Sequence, residues 1–266
     1  MQLLHNGQAV LIGVEDIKPE DLPDNLKVIG CPMTGTEHLP WDYIKAKGIK
    51  VISLHGETEF LQEITSTAEH AMGLILALLR NYRPAFFFPY EERNAYTGHT
   101  LKGKTLGILG YGRIGKQVER IAEAFQMNVV SFDNAKTPNW TEEFLTDKPL
   151  VELVQNSDIV SLHIPLSGNE GFFGKWLFQL MKPTSYFVNT SRLGVVEPGA
   201  LLWALENKAI AGAAVDFTED PELREYEKTH DNLILTPHLG GNTFEDREKT
   251  LNFIKAKVDA YLKNNS

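Results

Sequence analysis

A chain of 266 residues with 42% hydrophobic and 23% charged side chains carries enough apolar mass for one large domain or two small ones, and its composition is neither fibrous nor disordered. The formal net charge of −9 works against nucleic acid or an anionic membrane surface as the main partner, because both are bound through basic patches. Cys31 is the only cysteine, which excludes an intramolecular disulfide and a cysteine-based metal cluster. No stretch is long and apolar enough for a membrane span, and Met1–Val14 lacks a basic segment followed by an apolar run. These features predict a cytoplasmic protein with a small-molecule partner, no membrane association and no metal.

Taken in chain order, Ala9–Val14, Lys27–Cys31 and Lys50–Leu54 read as strands between segments rich in Pro, Asp and Gly. Ser66-Thr67-Ala68-Glu69 reads as a capping box that opens a helix, with Met72, Ile75, Leu76 and Leu79 at helical spacing and Arg80, Asn81 and Pro84 as its stop. His70 inside that helix reads as structural. Arg93–Gly103 is polar and reads as a crossing segment. Thr105–Leu109, Asn128–Phe132, Asp158–His163, Tyr186–Asn189, Ala211–Val215 and Leu233–Leu235 then read as strands with helices between most of them, and Glu245–Leu262 as an amphipathic terminal helix. Short apolar runs alternating with helical patterns are the signature of a parallel sheet covered on both faces, so the fold class is α/β. Asn189-Thr190-Ser191 and Asn139-Trp140-Thr141 match the glycosylation sequon and read as chance in a cytosolic chain.

The strand Thr105–Leu109 runs into Gly110-Tyr111-Gly112-Arg113-Ile114-Gly115, with a helix starting near Ile114. Strand, glycine turn and helix together let backbone amides and the positive end of a helix hold a pyrophosphate. Gly110 permits the tight turn, Gly112 the approach of backbone to pyrophosphate, and Gly115 the packing of helix on strand. Asp133, at the end of the next strand and 18 positions beyond Gly115, is placed to accept from ribose hydroxyls and to repel a 2′-phosphate, which favours NAD over NADP. Gly110 to Lys116 also begins a P-loop, but the following residue is Gln117, where a P-loop needs Ser or Thr.

Three further segments, Asp158–Pro165, Asn189–Glu197 and Thr236–Thr243, join the glycine turn, Thr67-Ala68-Glu69-His70 and Gly212-Ala213-Ala214-x-Asp216 in a pattern that resembles the D-isomer-specific 2-hydroxyacid dehydrogenases, from about Lys27 onward. The resemblance implies that Arg192 binds the substrate carboxylate and carbonyl oxygen and that His238 exchanges the proton. Both types suit the task, because hydride transfer to a 2-keto acid builds negative charge on the carbonyl oxygen. It implies an acid that pairs with His238 and favours its protonated form; Asp220, directly before Pro221, is the first candidate and Glu219 the second. Leu193 stands where the family usually has glycine. Met33, Thr34 and Gly35 resemble the loop that receives the substrate carboxylate. For the cofactor, the resemblance places Arg113 and Ile114 at the pyrophosphate, His163 and Pro165 on the adenosine side, and Thr190, Ser191, Arg192, Asp216, His238, Gly240 and Gly241 along the nicotinamide half.

The implied architecture is a doubly wound Rossmann domain, 67–240, with NAD as cofactor, and a smaller flavodoxin-like substrate domain, 1–66 with 241–266. In that second domain roughly the first two βα units of the family are missing, and only three candidate strands remain. A sheet so shortened has an edge and an apolar face that something must cover, and the terminal helix Glu245–Leu262 is expected to complete the lobe. The implied activity is oxidoreduction of a D-2-hydroxy acid and 2-keto acid pair, with a weakened NAD-binding corepressor-like module as the alternative. Formate oxidation expects glutamine where Glu219-Asp220 stands. The family resemblance also implies a homodimer formed through the cofactor domain, with the apolar helix Met72–Leu79 as candidate contact.

Overall fold

The computed structural model describes residues 1–13, 15, 17–87, 89–133 and 148–265, so Val14 and the Asn139-Trp140-Thr141 sequon lie outside the described residues. The chain divides into two compact units, Met1–Ile64 with Asn242–Ser266, and Thr65–Gly241.

In the first unit β1 (Gln2–Leu4) runs antiparallel to β2 (Ala9–Leu11), and β2, β3 (Val28–Cys31) and β4 (Lys50–Ser53) follow as parallel neighbours. Three of the four strands match the sequence reading. The fourth, β1, was missed because three residues show no period. It is formed by a reversal through His5, Asn6 and Gly7, whose φ values of 52°, 54° and 86° are left-handed.

The alternation along the sheet decides what each face meets. Ala9, Leu11 and Val28 pack against Leu61 of α2 (Thr58–Leu61) and Ile254, Val258 and Leu262 of α10 (Phe244–Asn264), while Val10, Ile12 and Ile29 pack against Leu22, Leu26, Leu39 and Ile44 of α1 (Trp41–Lys47). The C-terminal helix expected to complete this lobe packs on one face of its sheet. Both faces are buried inside the unit, and β1 lies along the edge that β2 would expose.

The second unit opens with α3 (Ser66–Leu79). Its N-cap position is Thr65, whose hydroxyl donates to Glu69 at 2.6 Å, so the capping box expected on Ser66 is corrected: the helix begins one residue earlier than that motif implies. The short α4 (Tyr82–Ala85) follows, entered through Asn81 in a left-handed conformation that ends α3. Then come β5 (Thr105–Leu109), α5 (Arg113–Ala124), β6 (Asn128–Phe132), α6 (Lys148–Asn156), β7 (Ile159–Leu162), α7 (Lys175–Leu180), β8 (Tyr186–Asn189), α8 (Ala200–Glu206), β9 (Gly212–Val215), α9 (Pro221–Glu227) and β10 (Leu233–Leu235).

All described strands of this sheet are parallel, in the order β10-β9-β8-β7-β5-β6. One face carries Met72, Ile75 and Leu79 of α3 with Val118 and Ala122 of α5. The other carries α6, α7 and α8 around Phe173, Phe178 and Phe187. The central strands β5, β7, β8 and β9 are thus dry on both faces, which explains why they read as unbroken apolar runs. The apolar residues of α3 are spent on this core, so the expectation that Met72–Leu79 forms a subunit contact is corrected. The aromatic surface lies just beyond it, where Phe86, Phe87 and Tyr90 are 76%, 83% and 75% exposed. Among the described residues no helix is long and apolar enough to cross a membrane.

Candidate functional site

The strand order reverses between β5 and β7, so the connections leaving their carboxyl ends part to opposite sides and open a crevice. Gly110, after β5, has φ 94°. A Cβ built there would lie 2.6 Å from the carbonyl oxygen of His163, after β7, so only glycine lets the two strand ends meet this closely. Gly115 is equally constrained, because its Cβ would lie 2.2 Å from the carbonyl oxygen of Gly110.

Gly112 differs. It is the N-cap residue of α5 with ordinary φ, no side chain caps that helix, and nothing lies within 4 Å of where its Cβ would be. A helix N-terminus that no side chain caps, flanked by open backbone, fits an anionic pyrophosphate, and Arg113 and Ile114 are the first two residues of α5. Asp133 sits at the end of β6, where its Oδ2 accepts from the amide of Tyr111 at 2.9 Å, which ties the acid to the glycine turn itself. Tyr111 in turn donates its hydroxyl to Glu119, which raises its pKa.

His163 joins two strand ends. Its Nε2 is 2.8 Å from Ser161 Oγ and its Nδ1 3.4 Å from Thr190 Oγ1, and burial pushes its pKa down to about 4. It is a neutral ring at physiological pH. Pro165 is exposed two residues on.

After β8, buried Asn189, 1% exposed, shapes the turn that carries Arg192. Its Oδ1 accepts from the amide and the hydroxyl of Ser191 at 2.9 and 2.7 Å, and its Nδ2 donates to the carbonyl of Arg192 at 3.1 Å. Leu193 begins a short 3-10 turn, Leu193–Val195, without a left-handed backbone, and packs against the core, so the turn closes without glycine at that position.

After β10, the loop Thr236–Gly240 is wrapped around Asp216. Asp216 Oδ1 accepts from Thr236 Oγ1 at 2.7 Å and Leu239 N at 2.7 Å, Oδ2 accepts from Gly240 N at 2.8 Å, and the Asp216 carbonyl accepts from His238 N at 2.6 Å. Burial raises its pKa, but hydrogen bonds from His70, Thr236, Leu239 and Gly240 hold it below the ordinary carboxylate value. Asp216 was expected along the nicotinamide half. It is 2% exposed, and its carboxylate is hydrogen-bonded within the unit. Gly240 and Gly241 follow the loop, and nothing lies within 4 Å of a Cβ at Gly241.

The loop holds His238 at φ 61°, a left-handed conformation that a histidine adopts only where its surroundings enforce it. Its ring lies beside that of Phe217, centroids 5.3 Å apart. Burial first, and then the positive charge of Arg192, lower its pKa, with Asp216 acting the other way. Arg192 and His238, expected together from the sequence, are therefore close enough to be coupled electrostatically.

The acid partner is not where it was expected. Asp220 Oδ1 accepts from Glu222 N at 2.9 Å and Leu223 N at 3.2 Å, so its carboxylate caps α9, with Pro221 at the first helical position. Glu219 is exposed, and neither acid forms an ion pair with His238 among the described residues. Asp220→Ala should accordingly cost about 1 kcal/mol of stability through the lost cap and leave the pH dependence of any turnover in place. A shifted pH profile at unchanged stability would return Asp220 to the histidine.

The sequence reading gave no role to two residues that build the site: Asn189, named in a strand and in the segment Asn189–Glu197, and His70, read as structural, whose Nε2 lies 2.9 Å from Asp216 Oδ1. The signal for both was their presence in motifs of the resembled family. Met33, Thr34 and Gly35 lie in the other unit, directly after β3, where the Met33 carbonyl accepts from Leu54 N at 2.9 Å.

Comparison with known proteins agrees with this geometry. Residues 72–240 match the NAD binding domain of the D-isomer specific 2-hydroxyacid dehydrogenases. The chain is 34% identical over 252 residues to D-3-phosphoglycerate dehydrogenase of Bacillus subtilis, covering 91% of this chain and 47% of that protein. It is 32% identical over 271 residues to glyoxylate reductase of Thermococcus litoralis, covering 96% of this chain and 80% of that one. It thus spans about half of the first relative and most of the second. The structure of D-lactate dehydrogenase from Escherichia coli superposes with a TM-score of 0.81 at 27% identity, over 97% of this chain and 83% of that one. The chain belongs to the D-isomer specific 2-hydroxyacid dehydrogenase family.

Proposed function

We propose that the chain is an NAD-dependent oxidoreductase that interconverts a D-2-hydroxy acid and the corresponding 2-keto acid. The carrying observation is the pairing of Arg192 with His238 in the unit that also holds the glycine turn, a permanent cation beside a group able to exchange a proton. In this reading the α5 N-terminus and Gly112 hold the pyrophosphate, Asp133 the adenosine ribose, and Thr190, Ser191, Gly240 and Gly241 the nicotinamide half. The cofactor supplies or accepts the hydride. Arg192 binds the substrate carboxylate and stabilises the charge that grows on the carbonyl oxygen. His238 gives the proton to that oxygen in reduction and takes it in oxidation. The unit Met1–Ile64 with Asn242–Ser266 acts as substrate domain, with Met33, Thr34 and Gly35 receiving the substrate carboxylate.

The test is oxidation of NADH, with NADPH in parallel, against a panel of 2-keto acids that includes phosphorylated ones. Turnover with NADH preferred supports the reading. Tight NADH binding with no turnover of any acid would replace it with a binding module of corepressor type.

The state of His238 sets the pH dependence. Its pKa lies below the ordinary 6.5, because burial and Arg192 both penalise the imidazolium. Reduction needs the protonated ring, so its kcat/KM is expected to rise as pH falls through that lowered pKa. Oxidation needs the neutral ring, so its kcat/KM should already be level at neutral pH. Initial rates in both directions from about pH 5 to 8 check this, and a reduction rate independent of pH would remove His238 from the role.

We further propose a homodimer formed through the cofactor unit, with Phe86, Phe87 and Tyr90 in the contact. Sedimentation equilibrium at micromolar concentration should give twice the chain mass. The charge-preserving pair Phe86→Ser with Phe87→Ser should shift it to monomer, and a parent chain already monomeric would refute the proposal.

A further inference from the structure

His70 takes no part in the chemistry above, yet it is built into the same site. Its Nε2 lies 2.9 Å from Asp216 Oδ1 and 3.1 Å from Thr236 Oγ1, and its side chain is 19% exposed. It projects from α3, whose Ala68, Ala71 and Met72 are fixed in the core, so the imidazole is presented from a rigid element. A buried carboxylate is stable only where donors satisfy it. For Asp216 those donors are His70, the Thr236 hydroxyl and the amides of Leu239 and Gly240. All except His70 belong to the loop that carries His238, so among the described residues His70 is the one donor to the carboxylate from outside the loop.

We propose that His70 is a positioning residue for His238, acting through Asp216: it fixes the carboxylate around which residues 236–240 fold, and so holds His238 in its left-handed backbone beside Arg192. The proposal rests on the dehydrogenase reading for its kinetic consequence but not for its structural one. The groups facing His238 are Arg192, Asp216 and the Phe217 ring, and those facing Asp216 are His70, Thr236 and the two amides.

The experiment uses the full chain and three variants. His70→Leu removes the donor at similar bulk. His70→Gln keeps an N–H that reaches Asp216. His238→Asn identifies the His238 resonance in a histidine-labelled NMR titration. With the clamp gone, the loop relaxes and His238 leaves both its burial and Arg192. In His70→Leu its titration midpoint is therefore expected to rise toward 6.5 and kcat to fall about ten- to hundredfold, the order that a misplacement of about 1 Å costs. His70→Gln should keep both near the parent values. Unchanged titration and kcat in a folded His70→Leu chain, or a lower melting temperature in both variants with His238 unmoved, would overturn the proposal. If His70→Leu does not fold, His70→Asn, whose amide is too short to reach, decides in its place. A parent chain that binds NADH without turnover fails the dehydrogenase reading alone, because the titration still decides the role of His70.

Discussion

Replacing Arg192 by alanine is expected to lower kcat/KM for keto acid reduction by a hundredfold or more, about 3 kcal/mol of transition-state stabilisation. Hydride addition turns a carbonyl oxygen into an alkoxide, and a fixed guanidinium beside it interacts more strongly with the second than with the first, which is the condition for acceleration. The turn that carries Arg192 is held by the side chain of Asn189 on the backbone of 191 and 192. Truncation at Cβ therefore removes the cation without undoing the turn. Arg192→Lys should recover only part of the loss, since an ammonium lacks the planar fork that grips a carboxylate. His238→Ala is expected to lose turnover to a similar degree, and His238→Asn is the cleaner variant, because asparagine tolerates the left-handed backbone this position requires. Steady-state kinetics with parallel NADH titrations check both. Turnover and cofactor affinity falling together in both residues' variants would mark the pair as structural.

How much of this could be read from the amino acids depends on the range of the interactions. Strands β5, β6, β8 and β10 have the bounds that apolar runs and their flanking breakers suggest; β5 and β8, buried along almost their whole length, announce themselves locally by that burial. The glycine turn is legible for the same reason: its constraints lie within a few residues of one another, apart from the approach of Gly110 to His163. β1 was not legible, since its pairing depends on a left-handed turn at His5-Asn6-Gly7 rather than on its own three residues. The apolar stripe of α3 was read correctly as apolar and assigned to the wrong neighbour. Periodicity says that a face must be covered and not by what.

Asp220 is the instructive case. Asp-Pro-Glu-Leu is a local helix-start signature, an acid at the N-cap with proline behind it, and it competed with the role implied by family resemblance. The structure resolves the competition in favour of the local signal. The His70 to Asp216 contact spans 146 positions of sequence, and nothing local predicts it.

The glycines of the turn give the sharpest separation of fold from function. Gly115→Ala should destabilise the chain by about 1–3 kcal/mol, because the new methyl would stand 2.2 Å from the carbonyl oxygen of Gly110 and 3.1 Å from Ile108 Cγ2. The gain of about 1 kcal/mol in helix propensity that alanine normally brings over glycine offsets only part of this. The oxygen belongs to backbone pinned between two strand ends, so it cannot step aside. Gly112→Ala should behave in the opposite way. Its backbone is in a region open to any residue and no atom lies within 4 Å of the added methyl, so stability should change by no more than about 0.5 kcal/mol. The methyl would, however, project where a pyrophosphate must approach the first amides of α5, and NADH affinity is expected to fall by about 1–3 kcal/mol, roughly five- to hundredfold. Denaturant unfolding and NADH fluorescence titration measure the two quantities on the same samples. A Gly112→Ala chain that binds NADH like its parent would move the pyrophosphate away from this turn, whereas a Gly115→Ala chain of parental stability would mean that α5 slides on β5 more freely than the packing allows.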